Sequence, residues 1–333
     1  MKPFGQLNKF LGKLPVNLAV ILLCVFWIVP TLGLFVTSFR SSEDVRTTGW
    51  WTVFSPVKID EYSSEETIKH AQDPFWTRLT LRNYADALVG YKGTQDYLTD
   101  CEQQNPSALM KFKCTWTDIF NPEGMGSAVL NTLAVAIPAT LLPILIATFA
   151  AYAFAWMDFK GRQWIFALLV GLQIIPLQMT LVPIARLYVS LGMQGTFIGI
   201  WLFHTGFGLP YAIYLLRNFL GSLPREIFES VYLDGANHFT AFWHIVLPLT
   251  KPAIASLAIF QFLWVWNDFL VAKIFLSNKP VLTVQITNLI DPRGGNWHIM
   301  TGAAFLSFII PMVVFFIFQK QFVRGLLAGS VKG

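Results

Sequence analysis

The chain has 333 residues, of which 54% are apolar and 13% charged, with a formal net charge of +5. Soluble globular domains carry about 25% charged residues, so this chain has too little polar surface to coat a water-soluble particle. It also has no basic cluster of the kind that binds nucleic acid, whereas thirty Phe and twelve Trp suit a bilayer protein.

A membrane span needs about 20 apolar residues. The first such run, residues 16–39, follows Lys2, Lys9 and Lys13 in a short N-terminal stretch, 1–15. It is long for a signal-peptide core and no small-x-small cleavage site follows it, so it reads as a retained first helix.

Residues 40–127 hold about half of the charged side chains, with acids in excess. SPVKIDEYSSEET and GTQDYLTDCEQQNPS are turn-rich, whereas LTLRNYADAL predicts a short amphipathic helix. Trp50, Trp51, Phe54, Phe75, Trp76, Phe112 and Trp116 give this segment apolar anchors, so it reads as a small ordered cap. Cys101 and Cys114 lie here without a CxxC or a histidine companion, which argues against zinc. In an oxidising compartment they form a disulfide closing a short loop, or else they stay two free thiols.

Further apolar runs at about 129–156, 164–185, 196–216, 253–276 and 301–319 bring the expected spans to six, within a core of 128–322. Short-loop basic residues set the orientation. Lys160, Arg162, Arg217, Arg225, Lys251, Lys320, Arg324 and Lys332 fall on the side of the N-terminus, against Arg186, Lys279 and Arg293 on the other. Both termini, including the tail 323–333, are therefore expected in the cytoplasm, and 40–127 outside.

The stretch 222–252, SLPREIFESVYLDGANHFTAFWHIVLPLTKP, is too polar for the bilayer. Ser222 reads as an N-cap, with Pro224 and Glu226 in the first turn of a helix to about Leu233. On that helix Ile227, Val231 and Asp234 share a face, Phe228 and Tyr232 lie beside them, and Glu226, Glu229 and Ser230 point outward. Gly235 permits a sharp turn, and Asn237 caps a second helix, 239–246, that Pro248 and Pro252 end. The expected product is a cytoplasmic helix-turn-helix hairpin with an acidic and aromatic surface.

ESVYLDGA followed by LPLTKPA resembles the Glu-Ala-Ala loop of binding-protein-dependent ABC importer permeases. Glu229, Asp234, Gly235, Ala236, Leu247 and Pro248 fall on that pattern, while Ser230 and Val231 stand where the family has two alanines. The resemblance extends to Asn83 and Tyr84, to Phe159 through Arg162, to PIARLYVSL (183–191), to WNDF (266–269) and to the tail QKQFVRGLLAGSVKG. That tail is similar to the end of the maltose-type permease that pairs with a larger one. The resemblance implies carbohydrate uptake, near the α-glucoside branch. It also implies an all-α membrane fold whose hairpin docks on an ATP-binding-cassette ATPase dimer through Glu229 and the Asp234-Gly235 turn. A homologous second permease and an extracytoplasmic sugar-binding protein complete the implied assembly.

The chain contains no GxxxxGK[ST], so no cofactor is expected in it, and ATP and Mg belong to the partner. No HExxH or GxSxG is present, and the histidines at 70, 204, 238, 244 and 298 are scattered, which disfavours an enzyme. The rival reading is an ion-coupled secondary carrier, whose usual mark is a midplane acid. At 100° per residue Gln261, Trp264, Asn267 and Asp268 share one arc of span five, with Trp266 opposite. A tryptophan face beside amide and carboxylate groups suits a pyranose, and the same groups also suit plain interhelical hydrogen bonds. Gln173 and Gln178 of span three are further candidates for the substrate path.

Overall fold

The computed structural model describes residues 4–55, 79–90, 120, 124–290 and 295–330. Cys101 and Cys114, and most of 40–127, lie outside them. Every regular element among the described residues is helical. The chain divides into two compact units, Met1–Met125 with Ile286–Leu306, and Gly126–Gln285 with Ser307–Gly333.

In the first unit α1, Phe4–Thr37, contains an apolar stretch from Pro15 to Thr37 whose side chains are largely exposed. Its end is tied down by α2 (Ser42–Thr47), a 3-10 turn (Trp50–Phe54) and α3 (Arg82–Val89). The buried Asn83 of α3, in the amphipathic helix expected there, donates its amide to the carbonyls of Ser38 and Arg40, each at 2.8 Å. Tyr84 Oη lies 2.6 Å from Ser38 Oγ. The Arg40 guanidinium donates to the Asp44 carbonyl at 3.0 Å and to Thr48 Oγ1. Burial pushes its pKa down from the ordinary guanidinium value. α12 (Leu282–Asn288) precedes the long α13 (Trp297–Ser330).

The second unit is built on α4, Met125–Trp156. Ala136, Ala139, Ala147 and Ala151 have no exposed surface, and a stripe of small residues lets neighbouring helix backbones approach closely. Around it the core gathers Ile144, Tyr152, Ile213, Leu216, Leu220, Phe228, Phe242 and Leu257. Those later positions belong to α7 (Phe197–Gly221), α8 (Arg225–Leu233), the π turn Phe242–Val246 and α10 (Leu247–Trp266).

Prolines inside apolar helices free a carbonyl four residues earlier, and in a water-poor interior that carbonyl must find another donor. Pro138 frees Ala134, which accepts from Trp201 Nε1 at 2.8 Å. Pro143 frees Ala139, which accepts from Gln261 Nε2 at 3.2 Å. Pro311 of α13 frees Ser307, which accepts from Trp266 Nε1 at 3.3 Å. The three donors come from other helices, so the carbonyls freed by proline in α4 and α13 are satisfied by tertiary contacts.

The expected six spans stand, since among the described residues five helices are long and apolar enough to cross a membrane and a bent pair counted as one is the sixth, while several details of the sequence reading are corrected. That pair is α5 (Arg162–Leu172) and α6 (Leu177–Ser190), bent by 97° where one span at about 164–185 was expected. Pro176 explains the break, since it disfavours helical backbone in the residue before it. Pro248 and Pro252 do not end the second limb of the hairpin. After the short α9 (His238–Ala241), the π turn leads into α10, so one helical run passes from His238 to Trp266. A widened turn changes which carbonyls need an N–H donor, and Pro248 then sits harmlessly at the start of α10. Span five is not continuous over 253–276, because α10 stops at Trp266 and α11 (Leu270–Phe275) is a separate short helix.

Candidate functional site

The hairpin starts two residues later than its sequence indicated, with Pro224 in place of Ser222 at the N-cap. Pro224 precedes the first helical residue, and the Ser222 hydroxyl instead donates back to the Phe219 carbonyl at the end of α7. α8 is held by Phe228, whose ring is fully buried and stacks on Trp156 with centroids 3.8 Å apart. Trp156 Nε1 in turn donates to the Leu220 carbonyl at 3.1 Å.

The helix ends in a Schellman turn, with Ala236 N donating to Val231 O and Gly235 N to Tyr232 O. Gly235 sits at φ +82°, a left-handed conformation that needs glycine, and Asn237 Oδ1 accepts from Thr240 N at 2.8 Å to start the second limb. The expected turn and cap are both present.

Glu229, Ser230, Asp234 and Gly235 are exposed on the hairpin, as is Pro248, while Ala236 and Leu247 are half-buried. Asp234 forms the C-cap of α8 and not part of its buried face. Leu233 is 88% exposed and Phe239 69%, so two large apolar side chains flank the Asp234-Gly235 turn. Sequence reasoning expected an acidic and aromatic surface here but assigned neither Leu233 nor Phe239 to it. Glu229 lies on the rim of a cleft of about 350 Å³ lined also by Trp156, Asp158, Arg162, Arg225 and Tyr232. A surface joining exposed carboxylates to exposed large hydrophobes has the make-up of a protein-docking site.

The four residues expected on one arc of span five separate. Gln261 is buried, and its amide is used by Ala139. Trp264 is partly exposed and packs edge-on against His204 of α7, with centroids 5.2 Å apart. Asn267 lies exposed where α10 stops, donating to its own Leu263 carbonyl at 2.8 Å. Asp268 turns back to accept from Val271 N at 3.2 Å and Ala272 N at 2.9 Å, so it caps α11. Its Oδ2 lies 3.7 Å from His204 Nε2, too long for a hydrogen bond. His204 has no exposed surface, and neither ring nitrogen has a hydrogen-bond partner. Its place between Trp264 and Asp268 was not legible from the scattered histidines. Gln173, at the break between α5 and α6, and Gln178 of α6 are both exposed. No group of three metal-ligating side chains occurs among the described residues.

Residues 139–327, which include the hairpin and the His204–Asp268 pair, match the family described as binding-protein-dependent transport system inner membrane component. The chain is 44% identical over 329 residues to the osmoprotective compounds uptake permease of Synechocystis sp., covering 98% of this chain and 94% of that one. It is 41% identical over 372 residues to the α-glucoside transport system permease of Rhizobium meliloti, covering 96% and 97%. In fold it is similar to a chain of a bacterial ABC transporter involved in the import of the acidic polysaccharide alginate, with TM-score 0.60, 17% identity and coverage of 94% and 96%. With its hairpin and apolar helices inside the matched region, this chain belongs to the binding-protein-dependent transport system inner membrane components.

Proposed function

We propose that this chain is one of two permease subunits of an ATP-driven sugar importer, and that the sugar is an α-glucoside or a maltose-like oligosaccharide. The observation that carries the reading is the hairpin, a rigid element that displays Glu229, Asp234, Leu233 and Phe239 away from its buried Phe228 anchor. An ATP-binding-cassette ATPase dimer, which holds the ATP and Mg, docks one subunit on this surface. A homologous permease supplies the other half of the path, and an extracytoplasmic binding protein delivers the sugar. Both termini and the hairpin face the cytoplasm, in keeping with the basic residues of the short loops. Closure of the ATPase then moves the hairpin as a rigid body and switches the path between its two openings.

The sugar class is supported by the α-glucoside permease among the relatives. Trp264, Asn267 and Asp268 give the path an aromatic face and two polar groups suited to a pyranose. The test is affinity purification of the tagged chain from membranes in mild detergent, with identification of co-purifying proteins and measurement of ATP-dependent maltose uptake by the reconstituted complex. A second permease and an ATPase are expected in the eluate. A lone chain whose uptake follows a proton or sodium gradient would instead establish the secondary-carrier alternative.

A further inference from the structure

Three polar atoms from three helices meet beneath the hairpin. Tyr152 Oη of α4 lies 3.0 Å from Tyr232 Oη of α8 and 3.0 Å from His238 Nδ1 of α9, and the last two are themselves 3.0 Å apart. With Nδ1 unprotonated, one hydroxyl donates to it and the other hydroxyl donates to its neighbour's oxygen, so two of the three edges are hydrogen bonds at a time and link all three groups. Tyr152 is buried, Tyr232 half-buried and His238 exposed, so the triangle bridges the interior of the bundle and the surface. Around it Phe149 stacks on Phe242 at 4.5 Å and Trp156 on Phe228 at 3.8 Å. Phe149, Tyr152 and Trp156 all lie on the last two turns of α4.

In sequence the hairpin joins α7 to α10, yet both of its limbs are gripped by α4. We infer that the Tyr152–Tyr232–His238 triangle is the clasp that delivers hairpin movement to α4, making Tyr152 a positioning residue for coupling. Two stacked ring pairs let limbs slide over one another at little cost. A chain of directional hydrogen bonds through all three groups does not, because shifting either limb relative to Tyr152 breaks at least one link. The triangle thus binds the two limbs and α4 into one body, and α4 is the helix whose proline-freed carbonyls at Ala134 and Ala139 are held by Trp201 and Gln261. This inference rests on the proposed docking of an ATPase on the hairpin.

The experiment is amide hydrogen exchange, read by mass spectrometry, on the purified permease–ATPase complex with and without ATP plus orthovanadate. In the native complex, trapping is expected to slow exchange in residues 225–241 and in 147–156 together, by about tenfold or more. In Tyr152→Phe and Tyr232→Phe, which keep the rings and remove one hydroxyl, the hairpin should still respond while the response of 147–156 is lost. A structural role alone would speed exchange in both segments whether or not nucleotide is trapped, and that result overturns the clasp. So does an undiminished response of 147–156 in both variants. Absence of any nucleotide response in the native hairpin overturns the docking reading itself, and the clasp with it.

Discussion

Gln261 Nε2 donates to the carbonyl of Ala139 at 3.2 Å, and Ala139 is the residue whose helical partner is removed by Pro143. One amide of α10 therefore satisfies a carbonyl freed in α4. Gln261→Leu should cost about 1–3 kcal/mol, the penalty for leaving a buried carbonyl unsatisfied. Pro143→Ala restores the missing N–H, so the double variant should recover most of that loss. Thermal unfolding of the four proteins in detergent checks this, and equal destabilisation of the single and double variants would disprove it. Gly208 belongs to the same contact, because a Cβ there would lie 2.8 Å from Gln261 Nε2.

Gly235 stands at φ +82° with open space around it, so any penalty for a side chain there comes from the backbone. Gly235→Val should destabilise the turn by about 1–2 kcal/mol. Faster amide exchange confined to the hairpin is the expected signature. Unchanged exchange would show that the turn tolerates a β-branched residue.

Glu229 is exposed and belongs to the proposed docking surface. Glu229→Lys should weaken ATPase association by about 2 kcal/mol, roughly thirtyfold, while leaving membrane insertion intact. Recovery of ATPase with the tagged variant measures the first effect, and carbonate-resistant membrane association the second. Normal recovery would remove Glu229 from the interface.

In the first unit Asn83 satisfies the carbonyls of both Ser38 and Arg40 from a buried position. Asn83→Ala should cost about 2 kcal/mol or more, since two acceptors lose their donor at once. The melting temperature of the chain in detergent is the readout, with Tyr84→Phe as a milder comparison because only the 2.6 Å contact to Ser38 Oγ is lost.

Local pattern alone was enough for much of this protein. Apolar runs long enough to span a bilayer, the short helix around Asn83, the turn at Gly235 and the Asn237 cap each depend on residues a few positions apart, and each is present in the structure. The family, too, was legible from the hairpin motif, which is contiguous in the chain. What only the tertiary structure decided are the matters settled by distant partners. Whether a proline ends a helix, as Pro248 and Pro252 were expected to, depends on how the freed carbonyls are satisfied, and that accounting extends to other helices. For the same reason the polar residues of span five took separate tasks. Gln261 repairs α4, Asp268 caps α11, and Trp264 packs on a histidine more than fifty positions earlier in the chain. A helical wheel registers the angle of a side chain about its own axis, but the group waiting at that angle is set by the fold.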